Sequence, residues 1–310
     1  MTLAIVFPGQ GSQSSGMQSE LAEHYAEVRE TYAIASDVLG YDIWELVQTG
    51  GDERLGETVV TQPAMLTAGV AAWKSWQKAG GANPAIMAGH SLGEYTALVC
   101  AGAIEFRDAV RLVRRRAELM QTAVPAGAGA MAALLGLEDS VVSDVCSRSA
   151  DGQVVSAVNF NAPGQVVIAG EKAAVLRAIE LAKQAGAKRA IMLGVSVPSH
   201  CSLMSGAADT LAAELLASEI SPPAIPVVSN ADVLLYENAA QIRDGLQRQL
   251  YSPVRWVETV QYFVANGVSR LIECGPGKVL AGLTKRIDRS LQAAYIETSE
   301  SLATALQADG

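Results

Sequence analysis

Short apolar runs alternate with helical stretches along almost the whole chain, and few folds accommodate that order. Leu3 to Phe7 reads as a first strand, ending at Pro8-Gly9. Met17 to Leu39 and the Ala-rich Gln62 to Ala79 carry helical patterning. Ala85 to Ala88 is a short strand, and Glu94 to Cys100 and Phe106 to Ala123 are helical again. Toward the C-terminus, Ala224 to Ser229 reads as a strand and Asn238 to Leu250 and Trp256 to Asn266 as helices. Arg270 to Cys274 is a strand that closes at Gly275-Pro276-Gly277. Such alternation predicts an α/β fold, with a mostly parallel sheet covered by helices on both faces.

The middle of the chain departs from this pattern. Ala130 to Leu135, Glu138 to Ser149, Val154 to Asn159, Gln165 to Ala169, Lys172 to Ala185 and Arg189 to Val195 read β-α-β-β-α-β, with Asn161-Ala162-Pro163-Gly164 as the turn. That is the split pattern of a ferredoxin-like unit. Pro125-Ala126-Gly127 and Val197-Pro198 bound it. The expected organisation is therefore an α/β core over 1–125 and 196–310 with a ferredoxin-like subdomain inserted over 126–195.

A chain of 310 residues can bury roughly 75% of the surface its unfolded form exposes, so it needs no disulfide or metal staple. Cys100, Cys146, Cys201 and Cys274 are scattered with no C-x-x-C, which fits a reduced, cytoplasmic chain. The net charge of −9 argues against general nucleic-acid binding, which needs clustered Lys and Arg. No run of about 18 apolar residues offers a membrane span, and the opening segment lacks the basic lead-in of a signal peptide. No His, Cys or carboxylate cluster suggests a metal site. Gly9-Gln10-Gly11 lacks the third glycine of a dinucleotide-binding loop, since position 14 is Ser14, and no Walker lysine follows.

Gly89-His90-Ser91-Leu92-Gly93 fits G-x-S-x-G. In a nucleophile elbow a strand turns sharply into a helix and exposes the serine hydroxyl at a strained position. The apolar run before this motif and the helical segment after it supply that context. A serine hydroxyl needs a base, and only His24, His90 and His200 are available. His24 lies in a charged helical stretch. His90 adjoins Ser91 in sequence, where successive side chains diverge. By elimination His200, in a loop after the inserted unit, is the best base, because loops at strand ends collect catalytic groups in α/β proteins. Glu94 reads as a residue of the helix start, favoured there by the dipole.

Several spaced segments carry a family resemblance. They are Gly9-Gln10-Gly11-Ser12-Gln13, Gln62-Pro63-Ala64, Gly89-His90-Ser91-Leu92-Gly93-Glu94, Asn159-Phe160-Asn161-Ala162-Pro163-Gly164-Gln165, Val197-Pro198-Ser199-His200 and Gln249-Leu250-Tyr251-Ser252-Pro253-Val254. Together, from near residue 3 to near residue 285, they resemble the malonyl-CoA:acyl carrier protein transacylases. The resemblance implies a hydrolase-like core with a ferredoxin-like insert. It also implies that Ser91 attacks the malonyl thioester with His200 as base, and that the backbone amides of Gln10 and Leu92 form the oxyanion hole. The carbonyl of Gln249 would orient His200, giving a dyad instead of a triad. Gln62, Asn161 and Gln249 are expected at the substrate. Arg116 is matched to the family's arginine by its spacing to Met120-Gln121. A guanidinium there pairs with the free carboxylate of a malonyl group. Leu92 resembles the residue at malonyl-type sites.

The resemblance further implies no resident cofactor. Malonyl-CoA is a substrate, and phosphopantetheine is carried by the partner, an acyl carrier protein. A chain of this length with no further domain reads as a freestanding enzyme of fatty acid or polyketide synthesis. Two other readings stay open at the level of residues: a serine esterase or thioesterase on a similar fold, and a non-catalytic carrier-protein binding module. Arg114, Arg115 and Arg116 cannot all share one helix face at about 100° per residue, so at least one points elsewhere, and the sequence does not say which.

Overall fold

The structure, a computed structural model, describes residues 2–195 and 197–307. Among the described residues nine strands form two sheets: β1 (Leu3–Phe7), β2 (Ile86–Gly89), β3 (Gly129–Leu135), β4 (Val155–Ala162), β5 (Gln165–Glu171), β6 (Arg189–Met192), β7 (Val227–Val228), β8 (Arg270–Cys274) and β9 (Gln292–Ile296). The first sheet has the order β7-β2-β1-β8-β9, and every pairing in it is parallel. β1 sits at its centre, buried along its full length. Its side chains divide by the strand period of two. Leu3, Ile5 and Phe7 join the large hydrophobic cluster on one face, and Ala4 and Val6 join a second cluster with Trp256 and Phe263 on the other. Burial on both faces is why this strand reads as an unbroken apolar run. Truncating a side chain as deep as Phe7 would cost about 3–5 kcal/mol.

The second sheet is antiparallel, in the order β4-β5-β3-β6. Helices Asp139–Ser149 and Lys172–Gln184 pack together and share a separate core with it, including Val142, Val145, Ile168, Val175 and Ile179. The two β-α-β connections each skip a strand, which is the split topology expected of a ferredoxin-like unit.

Several local expectations are corrected. The helical stretch expected over Met17 to Leu39 is two helices, Ser19–His24 and Ala26–Leu39. The break falls at Tyr25, which is extended at φ −128°. Neither Gly nor Pro marks it, and it lies between the fully buried Leu21 and Val28. The strand expected over Ala224 to Ser229 contracts to two residues at a sheet edge. Helix Ser205–Ala217, strand β9 and helix Ser299–Gln307 carry no distinct signal in the sequence reading. Among the described residues no helix is long and apolar enough to cross a membrane.

Candidate active site

The loops at the C-terminal ends of β1 and β2 face the antiparallel sheet across a cleft of about 330 Å³. The crevice beyond the carboxyl ends of a parallel sheet is where ligands bind in open α/β folds. Its walls include Gln10, Gln62, Ser91, Leu92, Arg116 and His200 from the core, and Met131, Asn159 and Leu193 from the second sheet and the segment after it. Two larger hollows, of about 590 and 530 Å³, lie around Lys285 beside β9 and hold neither Ser91 nor His200.

The elbow follows from sterics. β2 ends at Gly89, Ser91 turns the backbone at φ 51°, and helix Gly93–Cys100 starts two residues later. A Cβ on Gly89 would lie 1.8 Å from the Gly93 carbonyl carbon, and one on Gly93 would lie 2.0 Å from Phe7 O. Both glycines are therefore required by close backbone approach, not merely tolerated. The left-handed conformation at a non-glycine residue costs about 1–3 kcal/mol and persists only where its surroundings hold it. Here Asn230 does so: its Oδ1 accepts from Ser91 N at 2.6 Å, and its Nδ2 donates to Gly89 O at 2.5 Å.

Ser91 Oγ lies 2.7 Å from His200 Nε2, and His200 Nδ1 lies 2.8 Å from Gln249 O. Gln249 is the last residue of helix Ala239–Gln249, where backbone carbonyls have no partner within the helix. The Nδ1–H of His200 donates to that carbonyl, which leaves Nε2 as the acceptor for the serine hydroxyl. His200 is itself left-handed at φ 65°, and its backbone N–H donates to Leu250 O at 2.9 Å. Burial, helped by the nearby Arg116 charge, holds the His200 imidazole down at about 3. It is therefore neutral, and able to accept a proton, throughout the physiological range.

The backbone amides of Gln10 and Leu92 donate to no protein acceptor among the described residues, and both residues line the cleft. Free amides beside a serine nucleophile can receive a developing oxyanion.

The three adjacent arginines divide by side. Arg114 pairs with Glu118, and Arg115 with Glu118 and Glu214, at the surface. Arg116 is 1% exposed. Its Nη1 donates to Gln62 Oε1 at 2.7 Å, and its Nη2 to Gln249 Oε1 at 2.9 Å and to Ser91 Oγ at 3.3 Å. Its Nε–H has no acceptor, and it forms no ion pair with a carboxylate among the described residues. Buried polar groups almost always find partners, so this guanidinium holds donor capacity in reserve beside the nucleophile.

Of the expected substrate residues, Gln249 and Asn161 do not line the cleft: Gln249 lies behind Arg116, and Asn161 lies behind His90. Asn161 Oδ1 accepts from His90 Nε2 at 2.8 Å, and it is Asn159, not Asn161, that lines the cleft. Asn161 thus reaches the site through His90, whose ring also packs against Trp256. His24 is exposed and pairs with Glu20. The sequence reading missed Asn230 and Tyr236, and placed Glu94 at a helix start without seeing where its side chain goes. Glu94 is fully buried behind the elbow. It accepts from Tyr236 Oη at 2.5 Å, Gln249 Nε2 at 2.6 Å and Asn230 N at 3.3 Å. Burial raises its carboxyl to about 7 against the pull of these donors. No signal in sequence spacing links residues this far apart.

Residues 4–307 match the acyl transferase domain family. The chain is 58% identical to the malonyl CoA-acyl carrier protein transacylase of Salmonella typhimurium, over 98% of each chain. It is 44% identical to the protein of that name from Bacillus subtilis, over 98% of this chain and 96% of the other. Among solved structures it superposes on a malonyl-transacylase in complex with a type II PKS acyl-carrier protein at a TM-score of 0.98 and 56% identity, covering 99% of this chain and 100% of the other. An acyl carrier protein S-malonyltransferase from Vibrio cholerae superposes at 0.95 and 57% identity, over 98% of this chain and 99% of the other. A likeness that spans both sheets and every element lining the cleft is one of whole proteins, and the chain belongs to the malonyl-CoA:acyl carrier protein transacylases within the acyl transferase domain family.

Proposed function

We propose that the protein moves a malonyl group from malonyl-CoA to the phosphopantetheine thiol of an acyl carrier protein through a malonyl ester of Ser91. The observation that carries this reading is the buried Arg116, in hydrogen-bond reach of Ser91 Oγ and with an unused donor. An esterase for neutral acyl groups has no use for a desolvated cation at that place. A donor with a free carboxylate does, because a buried charge left unpaired is costly and a guanidinium meets a carboxylate with two parallel hydrogen bonds.

Ser91 Oγ attacks the thioester carbonyl as its proton passes to His200 Nε2. The amides of Gln10 and Leu92 receive the oxyanion. The C–S bond then breaks, and His200 returns the proton to the departing CoA thiolate. In the second half the carrier's thiol gives its proton to His200, its sulfur attacks the ester, and the proton returns to Ser91 Oγ. Gln62 and Gln249 hold the Arg116 guanidinium by its two terminal nitrogens. Transfer in place of hydrolysis requires the carrier thiol to outcompete water at about 55 M, which well-placed intramolecular groups achieve. The chemistry is complete with protein side chains and backbone alone, so the reading includes no resident cofactor. It places the protein in the cytoplasm, in keeping with four unpaired cysteines. It also divides the chain into a core over 1–125 and 196–310 and an insert over 126–195, supported by the two separate sheets. Residues 1, 196 and 308–310 lie outside those described.

Intact-protein mass after brief exposure to malonyl-CoA tests the proposal. An 86 Da adduct, roughly the malonyl mass by the chemistry of ester formation, is expected on the wild-type protein and absent from Ser91→Ala. Labelling that survives in Ser91→Ala would overturn it.

A further inference from the structure

The side-chain amide of Gln249 could face Arg116 with either end. Its oxygen accepts from the guanidinium, whereas its nitrogen, a donor, would oppose the donors of Arg116. The two ends have nearly the same shape, so steric fit does not choose between them. The choice is made from behind. Gln249 Nε2 donates to Glu94 Oε2 at 2.6 Å and to Ser91 O at 3.0 Å, which turns Oε1 toward Arg116 Nη2 at 2.9 Å. An ionised carboxylate accepts only, so Glu94 in that form, together with Ser91 O, sets which end of the amide faces away from Arg116. Tyr236 and the backbone of Asn230 hold Glu94 in place. Glu94 is fully buried and is absent from the cleft walls, so it does not touch a substrate.

We propose that Glu94 is a positioning residue for malonyl selection: by fixing the amide of Gln249 it presents the Arg116 guanidinium to the donor's free carboxylate. This rests on the malonyl transfer reading above. The arrangement reaches three parts of the site at once. The main chain of Gln249 orients the base through its carbonyl, its side chain orients the arginine, and Asn230 holds the elbow. The tie from Glu94 to Gln249 Nε2 governs the arginine, and the malonyl carboxylate is the only part of the donor that the arginine would recognise. Loss of this tie should be felt by donors that carry the carboxylate and little by those that lack it.

The test compares single-turnover acylation of Ser91 by malonyl-CoA and by acetyl-CoA in wild type, Glu94→Ala and Glu94→Gln. In Glu94→Ala the vacated space admits water, which satisfies Tyr236 and Asn230. Water both donates and accepts, so Gln249 Nε2 keeps only its longer hydrogen bond to Ser91 O, and one acceptor in place of two holds the amide. The malonyl-to-acetyl ratio should fall at least tenfold, with acetyl loading within threefold of wild type. Glu94→Gln keeps an acceptor oxygen toward Gln249, and the Tyr236 hydroxyl can turn to accept its new N–H. Its ratio should stay within threefold of wild type. If Glu94→Ala does not fold, Glu94→Asp carries the same test, since it withdraws the acceptor by one methylene yet keeps the charge. Equal losses with both donors would reduce Glu94 to a support of the fold and overturn the proposal, as would an unchanged ratio. A wild-type protein with no preference for malonyl-CoA would instead refute the reading on which the proposal rests, before any variant is made.

Discussion

Replacing Arg116 with Ala should invert the donor preference of the site. The guanidinium is buried, bonded to Gln62 and Gln249, and within 3.3 Å of Ser91 Oγ. A malonyl carboxylate brought to the same place without it would be a buried, unpaired charge. Breaking a buried ion pair on one side costs about 3–5 kcal/mol. At about 1.4 kcal/mol per tenfold, malonyl loading should fall by about a hundred- to several-thousand-fold. An acetyl donor brings no charge and in the wild-type site leaves the cation unpaired, so its loading should hold or rise. The assay is the rate of Ser91 ester formation under single-turnover conditions with each donor, followed by intact mass. Circular dichroism verifies the fold, since Gln62 borders the cleft and the space left by the guanidinium can admit water to the freed Oε1 atoms of Gln62 and Gln249. Parallel losses with both donors would refute the reasoning, because they would mean that Arg116 supports the nucleophile and does not read the carboxylate.

Two further outcomes follow from buried titrating groups. With acetyl-CoA as donor, so that only the base is read, the acid limb of Ser91 acylation should lie well below pH 6.5, because burial first and Arg116 second hold His200 down at about 3. Arg116→Ala should move that limb upward, and a limb near pH 6.5 in the wild type would contradict the buried, neutral base. Glu273 is fully buried at the end of β8, with Oε1 unpartnered and Oε2 accepting from Ala281 N at 2.8 Å. Burial raises its carboxyl from 4.5 to about 7. The native state therefore binds more protons than the unfolded chain between about pH 4.5 and 7, and stability falls as pH rises through that window. Glu273→Gln should remove on the order of 2 kcal/mol of that fall, seen as a smaller drop in the urea midpoint between pH 5 and pH 8. Identical pH dependence in the variant and the wild type would refute it.

What the sequence determined on its own is local. A strand buried on both faces reads as a continuous apolar run, so β1 is legible with its bounds, and β8 is legible from its Leu271-Ile272 centre and the Gly275-Pro276-Gly277 turn that closes it. The elbow is legible because Gly89 and Gly93 answer contacts within a few residues of Ser91 or to the adjacent strand. The β-α-β-β-α-β order is legible because each element has its own period and its own turn. The site as a whole was reached through resemblance, since spacing alone offered three histidines and three adjacent arginines. Tertiary structure decided among them. Arg116, not Arg114 or Arg115, turns inward because its place on helix Phe106–Thr122 faces Gln62 and Gln249, 54 and 133 residues away. The carbonyl that orients His200 belongs to a helix end 49 residues downstream. Glu94 looked like an ordinary first-turn acid, yet it is bonded to residues 142 and 155 positions away. Hydrogen-bond partners at such separations are set by how the sheets and helices stack, and no local pattern of residues encodes which chain segments that stacking brings together.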